Sequence, residues 1–270
     1  MANVAIIIAR GGSKRIPRKN IKDFLGKPII AYSIETALRS NLFDYVMVST
    51  DDDEIAGVAT KYGAQVPFMR SKKTSDDLST TADVIIEVLD SLKNINKQFE
   101  NVCCIYPTAP FISIKNLSTS YNKLIDNNFD TVFPVCKYSS AIQRALTIDE
   151  NEKLKMILPE MMNIRSQDLT PAYYDAGQFY WLRTDKFQLN KKIYSDNSGS
   201  VILNEMEVQD IDNLMDWELA QLKFKLINKT KMGYKTRTGE FWAGNLGKEY
   251  ISRKHSEELL PSNLNSFLGL

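Results

Sequence analysis

Strand patterns and amphipathic-helix patterns alternate along this chain, and that alternation constrains the fold more than any other feature. The apolar run Val4–Ala9 is typical of a strand that is covered on both faces. A helix pattern opens at Pro28, and a second strand is predicted over Tyr45–Thr50. Strands that alternate with helices form a mostly parallel sheet. We therefore predict an α/β, Rossmann-like, doubly wound fold.

Further predicted elements extend the alternation to a final helix. Asp51–Asp53 supply the N-cap and first-turn acids of a helix that Gly63 ends. From about residue 138 to 172 the alternation fails, which indicates an arm or dimerisation element that leaves the sheet. The other predicted strands are Val66–Met69, Val102–Tyr106, Thr131–Cys136, Gly177–Leu182 and Val201–Leu203, and the other helices are Thr80–Leu92, Ser113–Ile125 and Asp212–Leu226.

The length of 270 residues fits one large domain or two small ones. Residues 228–270 differ from the rest, since they are rich in lysine, glycine and serine with isolated aromatic residues. A stretch of about forty residues is too short for an independent core. We therefore predict one domain over residues 1–227, followed by a tail.

Charge and residue usage argue against several classes of protein. Lysine and arginine number 34 and aspartate and glutamate 33, so the formal charge of +1 disfavours a general binder of nucleic acid or membrane surfaces. The single histidine, His255, makes a Ser-His-Asp triad or a multi-histidine zinc site implausible. Cys103, Cys104 and Cys136 match no metal spacing and are expected to be buried thiols. With no signal-type or membrane-spanning segment, we expect a cytoplasmic protein.

A basic, glycine-containing loop follows the first predicted strand. Between Arg10 and Lys19 it carries five positive charges, and its two glycines let backbone amides approach an anion. Open α/β sheets bind ligands at this edge, and arginine and lysine pair with phosphate. The loop matches neither a Walker A nor a GxGxxG pattern. It therefore indicates a polyphosphate site, with a solvated basic loop or an RNA-binding patch as the alternative.

The basic loop contains the pattern Ala9-Arg10-x-x-Ser13-Lys14-x-x-Pro17-x-Lys19-Asn20. This pattern resembles the signature of the CMP-nonulosonic acid synthetases, or acylneuraminate cytidylyltransferases, and the resemblance extends from residue 3 to about residue 226. It implies a fold of the nucleotide-diphospho-sugar transferase type with an inserted dimerisation arm, and a loop that wraps the phosphates of CTP. The residues expected at the phosphates are Arg10, Gly11, Gly12, Ser13, Lys14, Lys19 and Asn20.

A second stretch resembles the part of these enzymes that surrounds the nucleotide base. It contains Arg70 and the run Asp77–Thr81, where hydroxyl groups and helix N-terminal amides suit hydrogen bonds to a pyrimidine edge. The alternative is that Ser79 or Thr80 is only a helix N-cap. The residues expected to read cytosine and ribose are Arg70, Asp77, Ser79, Thr80 and Thr81.

Three later motifs are expected to face the sugar. Tyr106 stands where sialic acid enzymes carry glutamine, and the motifs at 106–111 and 175–181 resemble the pseudaminic acid branch of the family. Arg165 is expected to bind the sugar carboxylate in a bidentate contact. The alternative is a surface arginine at a dimer contact. Phe179 and Trp181 are expected to be core residues. The residues expected to bind the sugar are Tyr106, Arg165, Gln167, Asp175 and Gln178.

Asp210 and Asp212 form the last motif. Residues two apart in an extended segment point to one face, and two carboxylates with a substrate phosphate form a typical Mg²⁺ site. Asp212 is also a suitable N-cap for the predicted final helix. The resemblance puts metal-binding aspartates at this junction, so Mg²⁺ is the expected cofactor.

The resemblance implies transfer of CMP from CTP to the anomeric hydroxyl of a nonulosonic acid, most closely pseudaminic acid, with release of pyrophosphate. Arg10, Lys19, Asp210 and Asp212 are the expected catalytic residues, and the general base is open between a carboxylate and the metal. CMP-sialic, CMP-legionaminic or CMP-Kdo synthesis is the alternative within the class. A non-catalytic nucleotide-binding module is the alternative outside it. We expect a homodimer that binds neither nucleic acid nor membranes.

The tail contains a stretch from Gly239 to Ile251 that resembles the opening of methyltransferase-like proteins associated with pseudaminic acid pathways. No glycine-rich cofactor loop follows it before Leu270. We therefore expect a fragment of a fused domain or a docking tail.

Overall fold

A computed structural model of the chain describes residues 1–76 and 78–231. The chain divides into two compact units, residues 1–221 and 222–270. The described part of the second unit is the C-terminal portion of one helix. The predictions for Asp77 and for the methyltransferase-like stretch of the tail lie outside the described residues.

The first unit is built on a seven-stranded sheet and a separate two-stranded ribbon. The described strands are β1 (Asn3–Ile8), β2 (Tyr45–Ser49), β3 (Asn101–Ile105), β4 (Thr131–Lys137), β5 (Leu146–Ile148), β6 (Leu154–Met156), β7 (Tyr173–Asp175), β8 (Phe179–Arg183) and β9 (Ser198–Leu203).

In the large sheet the strand order is β2-β1-β3-β8-β4-β7, and β9 pairs with β4. Strands β1, β2, β3, β4 and β9 run in one direction, while β7 and β8 run antiparallel to their neighbours. The carboxyl ends of the five co-directional strands therefore lie at one edge of the sheet. The predicted mostly parallel α/β fold is confirmed.

Several of the helices begin where the sequence supplies a capping side chain. The described helices are α1 (Ile29–Ser40), α2 (Asp53–Lys61), α3 (Thr81–Asn94), α4 (Ile114–Asp126), α5 (Thr184–Asn190) and α6 (Leu214–Lys231). Asp52 caps α2, Thr80 caps α3 in a reciprocal box with Asp83, and Ser113 caps α4. Gly63 adopts a φ of +94° just after α2, in agreement with its predicted role as a stop.

No helix within residues 1–76 and 78–231 is long and apolar enough to cross a bilayer.

Alternate residues of β1 supply the cores on the two faces of the sheet. Ala5 and Ile7 pack in the cluster that contains apolar residues of α1, α2 and α4. Val4 and Ile6 pack in the cluster that contains those of α3 and α5. Because both faces are covered, β1 is apolar throughout.

The prediction of a short strand over Val66–Met69 is wrong. Only Gln65, just before it, makes an isolated bridge to Met47. Pro67 has no backbone donor, which disfavours a continued ladder. The stretch instead leads to Arg70, whose backbone amide donates to the Thr50 carbonyl at 2.8 Å.

The start of the final helix differs from the prediction in a way that bears on the site. Asn213, rather than Asp212, accepts a hydrogen bond from the Asp216 amide at 3.0 Å, and α6 begins at Leu214. The Asp216 carboxylate in turn accepts from the Asp212 amide at 2.9 Å. The carboxylate of Asp212 is therefore not used as the helix cap.

The boundary predicted after residue 227 falls inside α6, which continues to Lys231. Residues 228–231 contain neither glycine nor proline, so the lysine-rich composition does not interrupt the helix. The helix α5 was not predicted, because its seven residues are too few to show a clear period.

Between β4 and β7, the chain leaves the large sheet. There β5 and β6 pair antiparallel with each other and form the separate ribbon. Large apolar side chains on it are exposed, including Leu146, Ile148 and Leu154 at 54, 70 and 63%. We call residues 138–172 the arm.

An aromatic contact joins α6 to the segment after the basic loop. The rings of Phe24 and Trp217 meet edge to face with centroids 5.4 Å apart, and both side chains are buried. Phe24 lies four residues after Asn20, and Trp217 lies five residues after Asp212. The contact therefore ties the basic loop to the acidic segment.

Replacing Trp217 with alanine is expected to lower the free energy of unfolding by about 3–5 kcal/mol, because it removes a large buried ring and leaves a cavity. Urea denaturation followed by circular dichroism measures the loss. Leu219→Ala, on the exposed face of the same helix, is the control and is expected to change stability by no more than about 0.5 kcal/mol. Equal losses in the two variants would contradict this assignment.

Candidate active site

A cleft of about 640 Å³ opens at the edge where β1, β3 and β9 end. The basic loop follows β1, Tyr106 follows β3, and the acidic segment Asp210–Asp212 comes after β9. Because these strands share one direction, segments that are far apart in sequence meet at this edge. The predicted residues that line the cleft are Arg10, Ser13, Lys14, Lys19, Asn20, Arg70, Ser79, Thr81, Tyr106, Asp210 and Asp212.

Lys19 connects the basic loop to the acidic segment. Its Nζ donates to the Ile211 carbonyl at 2.7 Å, between the two aspartates. Burial lowers the pKa of Lys19 below its ordinary value, while the negative charges of Asp212 and Asp210 act in the opposite direction. An ammonium group has three donors, so this contact leaves two for an incoming anion.

A second contact between the loop and the acidic segment is an ion pair. Arg15 Nη2 lies 2.7 Å from Asp212 Oδ1. Asp210 is exposed, and Ile211 between the two acids is buried. A buried residue between two accessible ones is the alternation expected of an extended segment, and both carboxylates line the cleft.

The base of the loop is fixed by acids that follow β2. Arg18 forms two hydrogen bonds with the Asp52 carboxylate, at 2.5 and 2.8 Å, and contacts Glu54 at 2.5 Å. The Gly11 amide donates to Asp51 at 2.9 Å. A Cβ on Gly11 would lie 2.7 Å from the Asp52 carboxylate, so only glycine fits this close approach.

Three of the residues predicted at the phosphates are outside the cleft or already hydrogen-bonded within the protein. Gly11 and Gly12 do not line the cleft, and the Gly11 amide is occupied by Asp51. Asn20 lines the cleft but is buried, and its Nδ2 donates to the Arg10 carbonyl at 2.9 Å. Asn20 therefore shapes the loop from within. The contacts of these residues with phosphate stay predictions.

The residues predicted to read the nucleotide base divide into two groups. Arg70, Ser79 and Thr81 line the cleft, whereas Thr80 uses its hydroxyl as the cap of α3. Arg70 is buried and donates to the Ser49 hydroxyl at 3.1 Å and to the Ser49 carbonyl. Burial lowers the pKa of its guanidinium, while Asp51 acts in the opposite direction. Arg70 therefore forms a fixed wall of the cleft.

A chain of hydroxyl groups leads from the cleft toward Asp175. Thr81 Oγ1 lies 3.0 Å from the Tyr106 hydroxyl, and the Tyr106 and Tyr180 rings meet edge to face. Tyr180 donates to Asp175 Oδ2 at 2.6 Å. Burial, followed by the nearby Tyr106 and Asp175, raises the pKa of Tyr180 well above its usual range, so it remains a donor. The backbone amide of Tyr106 donates to the Gln178 carbonyl at 2.9 Å.

The predicted sugar residues are only partly brought together. Tyr106, Asp175 and Gln178 lie at the edge where β3 ends and β8 begins. Gln178 is buried, and its Nε2 donates to the Glu207 carbonyl at 2.6 Å. Arg165 and Gln167 are exposed on the arm and do not line the cleft, and Arg165 pairs with Asp168 at 2.7 Å.

The three cysteines are buried and unpaired, and Phe179 and Trp181 are fully buried, so both sets of predictions are confirmed. Sequence reasoning missed the roles of Asp51 and Asp52 as partners of the loop. It treated Asp51–Asp53 as N-cap and first-turn acids of α2, which is confirmed for Asp52 as the cap and for Asp53 in the first turn. The available signal was that β1 and β2 are adjacent parallel strands, so the loops that follow them are neighbours.

The two acids fit the expected Mg²⁺. Within residues 1–76 and 78–231, no group of three or more histidine, cysteine or acidic side chains could hold a metal ion. Mg²⁺ is commonly held by one or two carboxylates together with substrate phosphate and water. Asp210 and Asp212, beside a cation-lined cleft, match that donor set.

Comparisons with known proteins identify the family of this chain. The sequence model of the cytidylyltransferase family matches residues 4–237. The chain belongs to this family. Its members are nucleotidyltransferases, so the chain is an enzyme of that class.

Individual relatives support the family assignment. The chain is 44% identical over 226 residues to a pseudaminic acid cytidylyltransferase of Campylobacter jejuni, covering 84% of this chain and 97% of the relative. It is 32% identical over 235 residues to a CMP-N,N'-diacetyllegionaminic acid synthase of Legionella pneumophila, covering 84 and 97%. A solved CMP-2-keto-3-deoxy-manno-octonic acid synthetase in complex with CTP has the same fold, with a TM-score of 0.62 and 17% identity over 84% of this chain and all of that one.

The ion pair between Arg18 and Asp52 is expected to make stability depend on pH. The Arg18 guanidinium holds the pKa of Asp52 at about 2, below its ordinary 3.8. Since the pKa is lower in the folded protein, the contribution is complete above about pH 4 and is lost as the pH falls towards 2. Asp52→Asn keeps a capping residue and removes the charge, so we expect a loss of about 1 kcal/mol at pH 7 that shrinks below pH 4.

Urea denaturation between pH 7 and pH 3 measures this dependence. Ser113→Ala removes a cap that does not titrate, so its loss is expected to stay constant over the same range. A pH-independent loss in Asp52→Asn would show that the ion pair does not contribute.

Proposed function

We propose that this enzyme transfers CMP from CTP to the anomeric hydroxyl of pseudaminic acid and releases pyrophosphate. The observation that carries the proposal is the junction of the basic loop with the acidic segment in one cleft. The relatives named above, which act on pseudaminic and diacetyllegionaminic acids, support a nonulosonic acid as the acceptor. We propose the cytoplasm as its location, because its three thiols are unpaired.

The cations of the loop are proposed to hold the triphosphate and to stabilise the departing pyrophosphate. Lys19 has two donors left after its bond to Ile211, and Arg10 and Lys14 line the same wall. Their positive charge offsets the charge that develops on the leaving group as the anomeric oxygen attacks the α-phosphorus. Holding the reactants in line accounts for much of the remaining acceleration.

Asp210 and Asp212 are proposed to hold Mg²⁺ against the phosphates. When bound, the ion supplies Lewis acidity and a template for the reacting oxygens. Asp212 is suited to this role because Asn213 caps α6 and leaves its carboxylate in the cleft. Loss of either carboxylate would therefore remove a charged ligand of the metal ion.

The acceptor is proposed to bind beside Tyr106 and Asp175. Tyr106 lines the cleft and stands at the position where the sialic acid enzymes that this chain resembles carry glutamine. The aromatic pair with Tyr180 and the bond from Tyr180 to Asp175 fix this corner. A fixed arrangement of polar groups favours one pattern of sugar substituents over its stereoisomers.

A pyrophosphate-release assay with CTP tests the proposal. Pseudaminic, N,N'-diacetyllegionaminic, N-acetylneuraminic and 3-deoxy-manno-octulosonic acids are compared at matched concentrations. We expect kcat/KM for pseudaminic acid to exceed the others by a factor of about ten or more, because mispaired polar groups cost at least that much. Binding of CTP without pyrophosphate release from any acceptor would favour a non-catalytic module, and equal rates would refute the substrate assignment.

Replacing Asp212 with asparagine is expected to lower kcat by about 10²–10³-fold, since a key charged group is lost from the transition state. The same assay measures it, with Glu218→Gln on the exposed side of α6 as the control. Normal turnover in Asp212→Asn would refute the metal assignment.

The arm is proposed to form a homodimer. Its exposed leucine and isoleucine side chains form an apolar surface that water solvates poorly. Dimerisation through the arm would also give Arg165 and Gln167 a route to a sugar pocket, because both lie on the arm and neither lines the cleft of its own chain.

Introducing charge on the arm tests this proposal. The double variant Ile148→Asp and Leu154→Asp is expected to be a monomer by light scattering, because a buried interface does not tolerate unpaired carboxylates. Leu189→Asp changes an equally exposed apolar residue on α5, outside the arm, and is expected to leave the dimer intact. A monomeric wild-type protein would exclude the dimer.

A further inference from the structure

The ion pair between Arg15 and Asp212 occupies an oxygen that the proposed metal needs. Arg15 Nη2 lies 2.7 Å from Asp212 Oδ1, and the two side chains are 67 and 42% exposed. A guanidinium and a divalent cation on one carboxylate oxygen repel each other. Arg15 therefore competes with a metal ion at Asp212.

Contacts other than the ion pair with Arg15 also hold the acidic segment. Lys19 already bonds the Ile211 carbonyl, and Asp216 accepts hydrogen bonds from the backbone at the start of α6. Since Arg15 is largely exposed and lies on a loop, its side chain has room to turn from Asp212 into the cleft that it also lines. A phosphate offers a guanidinium two oxygens in the same fork geometry as a carboxylate.

We propose that Arg15 pairs with Asp212 only while the cleft is empty, and that it moves to the polyphosphate when CTP enters and leaves Asp212 to the metal ion. This inference rests on the proposed function of the cleft. Arg15 thereby couples the binding of the two ligands. The nucleotide draws Arg15 away from Asp212, where it competes with the metal ion, and a metal ion on Asp212 favours the position of Arg15 on the nucleotide. Such coupling acts in both directions, so each ligand increases affinity for the other.

The exposure of the pair sets the size of the effect. Ion pairs between exposed side chains change an equilibrium by a factor of about two to five. Nucleotide-free enzyme should therefore bind a divalent cation about two- to fivefold more tightly when Arg15 is removed. CTP without a metal ion should bind more weakly by a similar factor, because a phosphate contact is lost.

Binding measurements without sugar test the inference. Mn²⁺ binding to nucleotide-free protein is followed by electron paramagnetic resonance, and CTP binding in the presence of EDTA is followed by calorimetry. Arg15→Ala is expected to strengthen Mn²⁺ binding and to weaken CTP binding. Arg39→Ala removes an exposed arginine from the last turn of α1, at the opposite edge of the sheet, and is expected to change neither affinity.

A double variant identifies the oxygen involved. In an Asp212→Asn background, Arg15→Ala is expected to give no gain in Mn²⁺ affinity. The carboxylate for which Arg15 and the metal ion compete is absent from that background. An unchanged or weaker Mn²⁺ affinity in Arg15→Ala, an unchanged CTP affinity, or a gain that persists with Asn at position 212 would each overturn the inference. Because no acceptor is present, these results are independent of whether pyrophosphate release occurs with any sugar.

Discussion

The hydrogen bond from Lys19 to the Ile211 carbonyl joins two segments that lie 192 residues apart in the chain. It depends on the shared direction of β1 and β9, which brings the loop after one strand to the segment after the other. The buried contact of Phe24 with Trp217 also links the same two parts of the chain. The chemistry proposed for the cleft requires this junction, since neither segment alone supplies both the cations and the carboxylates.

The basic loop concentrates five positive charges in ten residues, and the fold separates them by role. Arg18 is directed away from the cleft to Asp52 and Glu54, at a left-handed backbone position with φ 56°. Lys19 and Arg15 contact the acidic segment. This division limits repulsion between neighbouring cations, and it leaves an electropositive wall where a polyphosphate is expected.

Much of this arrangement was predictable, because it follows from local pattern and sheet topology. The apolar run of β1, the loop after it and Tyr106 after β3 are each visible in short windows of sequence. The use of Asn213 rather than Asp212 as the cap of α6 was not, since both residues are good caps and the choice depends on Asp216. The pairing of Arg15 was also hidden, because it depends on side chains that meet only in the folded chain.

A crystal structure with CTP and Mn²⁺ bound examines the junction directly, since anomalous scattering locates the metal. We expect the metal between Asp210 and Asp212, and the phosphates between those carboxylates and Lys19. The base is expected against the wall that contains Arg70. Phosphates bound on another surface, or a metal peak away from both aspartates, would contradict the idea that the two segments act on one nucleotide.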